Sequence, residues 1–257
     1  REDIQPQVFR LFTMAGAEDP QRALPVIARL LVAGPPWRAA YFEALNDTTQ
    51  GIQVAASLAV MLQSGRAPLT NAELRALYMK LLQMGQLEAL RTVRGSLNRP
   101  ALSEVITNGG FEDDSAPEPS QWRLAQRPGV VTEIVADELR TRDLALRVEY
   151  DGYSRARIAS QLTFLPAGSH RLTYRIRRES GDTAASLVWK VACLPGDREI
   201  ASAPAAAAST SWTSVVVRLD VPSGCPAQWL RLEGMPGEQR SSTVAWLDDV
   251  SIASDRP

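Results

Sequence analysis

The spacing of apolar residues changes once along this chain, near Pro100, and the two spacings belong to different architectures. Upstream they recur three and four apart, which lines one face of a helix; downstream they alternate, which lines one face of a strand. Proline at the junction cannot continue a helix, because its ring removes a backbone donor and clashes with the turn before it. The expected fold class is therefore multi-domain, all-α over residues 1–100 and all-β over residues 101–257.

Six helices are predicted in the first part: Pro6 to Ala15, Pro20 to Val32, Trp37 to Leu45, Thr49 to Gln63, a fifth from Asn71 through Leu82, and Gln86 to Leu97. Gly34-Pro35-Pro36, Gly65 and Pro68 supply breaks between them. Trp37, Tyr41, Ala44 and Leu45 form one apolar stripe, and Leu74, Leu77, Tyr78 and Leu81 another. Connections this short make antiparallel neighbours, hence stacked helical hairpins. With small residues at Ala39, Ala40, Ala55 and Ala56, this half resembles a degenerate tetratricopeptide-type array, although no ~34-residue period repeats cleanly. A generic helical bundle is the competing reading.

In the second part, Leu144-Leu146-Val148-Tyr150, Leu172-Tyr174-Ile176 and Val215-Val217-Leu219-Val221 turn an apolar face inward and leave Arg147, Arg171, Arg175 or Arg218 outside. Many short strands between Gly, Pro, Asp and Ser turns predict a β-sandwich or jelly roll. The tract Ala201 to Thr210 is expected to be a long exposed loop. Cys193 and Cys225 match no metal spacing; they read as two buried thiols or as a disulfide, and the disulfide, with the oxidising compartment it needs, is the expectation.

Four segments in order carry a resemblance. Asn108-Gly109-Gly110-Phe111-Glu112 opens the second part, and Leu165-Pro166-Ala167-Gly168 precedes a central strand. Trp212 precedes a Val-rich strand, and Trp246-Leu247-Asp248-Asp249-Val250-Ser251-Ile252 closes the domain. Together they resemble the jelly-roll carbohydrate-binding modules of the family 4, 9 and 22 kind. Gln161-Leu162, Trp189 through Cys193 and Cys225-Pro226-Ala227-Gln228 look like a variant fused to tetratricopeptide-type proteins of bacterial envelopes. The resemblance implies a structural Ca²⁺ held by Glu112 and one of Asp248 or Asp249, with Asp248 favoured by its alternation with Trp246; a metal-free turn is the alternative. It also implies aromatic rings that stack on the apolar face of a sugar. Of Trp122, Tyr150, Tyr153, Tyr174, Trp189, Trp229 and Trp246 most must be core, as Trp189 and Tyr174 are by alternation, and Trp212 falls where the family buries a ring. Tyr153, in the turn Asp151-Gly152-Tyr153, and Trp122, after a Pro-rich loop, are the candidate ligand-binding aromatics.

Net charge is −1, so the molecule as a whole has no pull toward nucleic acid. Locally, nine arginines fall between Arg140 and Arg178 against three acids. Arg175 and Arg177 could therefore pair with carboxylates of an acidic polysaccharide. Solvated strand faces explain the same arginines, since only Lys80 and Lys190 are lysines.

No enzyme is expected. His170 is the one histidine, and no triad, zinc cluster or phosphate-binding loop accompanies it. Glu112 with Asp248 would be the pair for a glycoside hydrolase, but the resemblance gives them to structure. No apolar stretch approaches the ~20 residues of a membrane span, and an opening Arg1 reads as a processed chain. The expected role is non-catalytic recognition in a bacterial periplasm or at the cell surface, in exopolysaccharide assembly or export. The sandwich would hold a polysaccharide and the helices an envelope protein. The alternative is an assembly scaffold whose sandwich binds no sugar.

Overall fold

In a computed structural model, residues 5–45, 48–63, 65–97, 105–113, 119–137, 143–181, 186–205, 209–237 and 241–255 are described. The chain divides into two compact units, Arg1–Leu102 with Pro117–Pro119, and Ser103–Ala116 with Ser120–Pro257.

The first unit holds α1 (Gln5–Glu18), α2 (Pro20–Val32), α3 (Arg38–Leu45), α4 (Thr49–Gln63), α5 (Asn71–Gln83) and α6 (Leu87–Ser96). Helix α4 packs against each of the other five. Its sequence explains this: Ile52, Val54, Ala55, Ala56, Leu58, Ala59 and Leu62 are buried around most of its circumference, as a central helix requires. Starts and ends follow local chemistry. Asp19 accepts from the Arg22 N–H ahead of α2, and Thr70 and Glu73 form a reciprocal capping box on α5. Arg38 then forks onto Glu73 at 3.0 Å from both Nε and Nη2, pinning α3 to the start of α5.

The second unit is a jelly-roll sandwich. Its strands are β1 (Arg123–Leu124), β2 (Val130–Ala136), β3 (Leu144–Tyr150), β4 (Ala156–Thr163), β5 (Gly168–Gly181), β6 (Ser186–Leu194), β7 (Arg198–Pro204), β8 (Thr213–Val221), β9 (Ala227–Met235) and β10 (Thr243–Ser254). They form two five-stranded antiparallel sheets, ordered β1-β4-β9-β6-β7 and β2-β3-β10-β5-β8. Between them lies one core that includes Leu146, Tyr150, Tyr174, Trp189, Leu230, Leu232 and Leu247. The inward residues are those the alternation selects, so the outward residues of each sheet are fixed as well.

Two expectations change. Ala201 to Pro204 belongs to β7, paired with β6, because small side chains alternate well enough to fill a sheet edge; residues 206–208 of that tract lie outside the described residues. Trp212 is half-buried and lies outside the core, with its N–H donating to Asp137 at 2.7 Å. The Asn108 to Glu112 motif is a turn in which Asn108 and Phe111 take positive φ (53° and 59°).

Candidate functional site

The outer face of the first sheet gathers charge around one strand. In β9, Leu230 and Leu232 enter the core, so Trp229, Arg231 and Glu233 point outward. Register places Arg231 between Ser160 of β4 and Lys190 of β6, and Glu233 between Arg157 and Val188. Arg123 of β1 lies opposite Ser160 and completes a row of cations across the sheet. Ion pairs join part of it: Arg231 to Asp197, Lys190 to Glu199 and Arg155 to Glu233, each at 2.6 Å. The Arg231 guanidinium lies 5.9 Å from the Trp229 ring centroid and covers part of a ring that is 8% exposed. Its Nε is buried without a hydrogen-bond partner among the described residues. Arg157 is exposed, and its pKa is pushed below the ordinary guanidinium value, first by desolvation and next by the like charge of Arg231. The face thus offers forked donors and carboxylate acceptors on rigid strands, the polar part of a sugar site.

The second sheet's outer face carries Arg175 and Arg177, and there the expectation for Arg177 is corrected. Arg177 is 7% exposed; it donates to Asp137 at 2.6 Å and lies 4.4 Å from the Trp246 centroid and 5.7 Å from that of Trp212. Its fork and its flat faces are both engaged by the protein, so it presents nothing to a ligand carboxylate. Arg175 stacks on Trp212 at 5.7 Å and pairs with Asp249 at 3.7 Å. Beside them Arg147 contacts Glu133, Glu149 and Glu179, and Trp246 donates to Glu179 at 2.5 Å. Arg147, then Trp246, hold the Glu179 carboxyl below its ordinary value. Arg140 and Arg142 lie outside the described residues.

The opening turn meets β10, the central strand of the second sheet. The Gly109 carbonyl accepts from the Val250 N–H at 2.9 Å, and a Cβ on Gly109 would stand only 1.8 Å from the Val250 carbonyl oxygen, so glycine is required there. A Cβ on Gly110 would be 3.8 Å from Asp248 Oδ1 and 3.9 Å from Glu112 Cγ, which puts the two carboxylates around the same glycine. Glu112 accepts from the Leu144 N–H at 2.6 Å, and Asp248 from the Asp249 N–H at 2.7 Å. Asp249 takes positive φ (52°) and directs its carboxylate to Arg175. No group of three or more His, Cys, Asp or Glu suited to a metal occurs among the described residues. The donors are nonetheless all oxygen, the kind Ca²⁺ takes, with backbone carbonyls left to supply the remaining ligands.

Trp122 is also corrected as a ligand-binding residue. It is 5% exposed, packs between Phe111 and Trp189 with centroids 5.6 and 6.1 Å away, and donates to the Asn108 carbonyl. Its Pro-rich approach reads as a loop in sequence, whereas burial of the ring depends on the turn that carries Phe111, eleven positions earlier. Tyr153 is 71% exposed, in the turn before Arg155. Cys193 and Cys225 form a disulfide. His170 is buried, with Nε2 2.8 Å from the Pro166 carbonyl. Sequence reasoning passed over Arg231, Lys190 and Glu233. The signal that finds them is the outward set of Trp229, Arg231 and Glu233 interleaved with Leu230 and Leu232.

No family model and no curated protein matches the chain. Among solved structures, it is similar to a family 4 carbohydrate-binding module, with 14% identity over 58% of this chain and 98% of that one at a TM-score of 0.43. A family 61 module in complex with β-1,4-galactotriose is 19% identical over 59% of this chain and 99% of that one, at a TM-score of 0.42. A family 22 xylan-binding domain from Paenibacillus barcinonensis is 15% identical over 51% and 83%, at a TM-score of 0.38.

Proposed function

We propose that this chain is a non-catalytic recognition protein that binds a polysaccharide on the outer face of its first sheet. The observation that carries the reading is the alignment of Arg157, Arg231 and Lys190 on adjacent strands, with the half-exposed carboxylates of Asp197 and Glu199 beside them, so that one face offers donors and acceptors together. Sugar hydroxyls need both, and strands hold them more firmly than loops. Tyr153, exposed two residues before Arg155, supplies an aromatic surface near the same end of the sheet.

The helical unit suits a protein partner. Leu11, Val26 and Leu30 are 63%, 55% and 42% exposed, and Val26 and Leu30 line a groove of about 440 Å³ with Phe12 and Ile27. A tetratricopeptide-like role for these helices belongs to the same proposal. The disulfide fits an extracytoplasmic setting such as the bacterial envelope, where exopolysaccharide is assembled and exported. No helix among the described residues is long and apolar enough to cross a membrane. Ca²⁺, when bound, would supply charge between Glu112 and Asp248 and tie the opening turn to β10.

A glycan-microarray screen of the folded, oxidised chain tests the reading. Specific binding to at least one glycan class is the expected result. Silence from protein shown to be folded would overturn it and leave the assembly scaffold, which the exposed groove between α1 and α2 favours.

A further inference from the structure

We infer that the first sheet's outer face selects an anionic sugar residue, a uronate unit of a polysaccharide, through Arg157 with Arg231 beside it. This rests on the polysaccharide reading above and narrows it to a ligand class. The cations on the face are Arg123, Arg155, Arg157, Arg231 and Lys190. Its carboxylates are already engaged: Asp197 by Arg231, Glu199 by Lys190 and Glu233 by Arg155. Glu233 lies opposite Arg157 in register, yet its Oε2 accepts two bonds from Arg155, at 3.0 and 2.6 Å.

Arg157 is therefore an exposed guanidinium with no ion pair among the described residues; Arg231 repels it, and Asp197 and Glu233, each held by another arginine, offset only part of that repulsion. Holding cations together on rigid strands is unfavourable until an anion joins them. Arg231 shows that the face accepts a carboxylate: Asp197 Oδ1 sits on its Nη2 at 2.6 Å, from an Asp197 side chain that is itself half exposed. The other sheet is built differently. There Arg147, Arg171, Arg175 and Arg177 each face a carboxylate of the chain, through Glu179, Asp255, Asp249 and Asp137. Among the described residues, Arg147, Arg171, Arg175 and Arg177 of the nine-arginine tract are thus compensated on the second sheet, whereas Arg157 on the first is left open to an outside anion.

Affinity electrophoresis of the full oxidised chain tests this, with gels containing polygalacturonate, alginate or hyaluronate, their carboxyl-reduced counterparts, and neutral galactan. At least one uronate polymer is expected to retard the protein, its carboxyl-reduced form is not, and retardation falls as salt rises. Arg157→Gln should weaken that binding by about fivefold or more, Arg171→Gln on the other sheet should not, and both variants should melt like the parent. Retardation by neutral polymers alone, or binding indifferent to Arg157→Gln, overturns the uronate inference while the polysaccharide reading stands. Equal loss in Arg171→Gln marks generic polyanion attraction and overturns it too. Retardation by no polymer overturns both.

Discussion

Asp137 shows how one buried carboxylate can organise a surface. Its side chain is 1% exposed, and it accepts from Arg177 and from the Trp212 indole N–H. Removing one partner of a buried ion pair strands the other charge, which costs about 3–5 kcal/mol. Asp137→Ala should therefore lower the unfolding free energy of the sandwich by about that much, seen as a lower urea midpoint with an unchanged slope; a loss under about 1 kcal/mol would show the pair to be solvent-screened. Glu179 gives a pH test. Its pKa is depressed in the fold, so its contribution is present above the ordinary value of about 4.5 and is lost as pH falls through the folded value. Glu179→Gln should flatten the acid side of the stability curve, measured as urea midpoints between about pH 6 and 3, and an acid limb identical to the parent's would remove that role. Single-residue roles were the least legible in the sequence. Alternation places Arg177 outward correctly, but not that two indoles and a carboxylate reach it from β10 and from residues 212 and 137.

At the scale of elements, local signals were read more completely. The breakers and apolar stripes of the first hundred residues correspond to α1 through α6, with ends shifted by a few residues where capping groups decide them. Strands β3, β5 and β8 follow their alternation, and β7 was missed because an Ala-rich run looks the same whether it is loop or edge strand. The Glu112 turn and the Asp248 end of β10 are joined at Gly109, where only glycine permits such close approach to Val250. If Ca²⁺ bridges them, adding it should raise the melting temperature of the sandwich by several degrees, and Glu112→Ala should abolish the increase while leaving the protein folded. Equal melting in Ca²⁺ and in chelator would assign both carboxylates to their backbone N–H partners alone.

At the scale of the molecule, the two sheets of the sandwich differ in how they spend their charge. On the second, ion pairs and stacked rings close much of the surface on itself; on the first, Arg157 stays exposed beside Arg231 with no ion pair among the described residues. The division into helices and sandwich was legible because it depends on period alone. The binding face was not, because it depends on which strands become neighbours: Arg157, Lys190 and Arg231 are far apart in sequence and meet only through β4-β9-β6 pairing. The most direct measurement is glycan-microarray binding by two double variants beside the parent. Arg157→Ala with Lys190→Ala is expected to lose the parent's signal, whereas Arg171→Ala with Arg218→Ala, on the other sheet, retains it. Loss in the second variant with retention in the first would place the ligand on the opposite face and contradict the account.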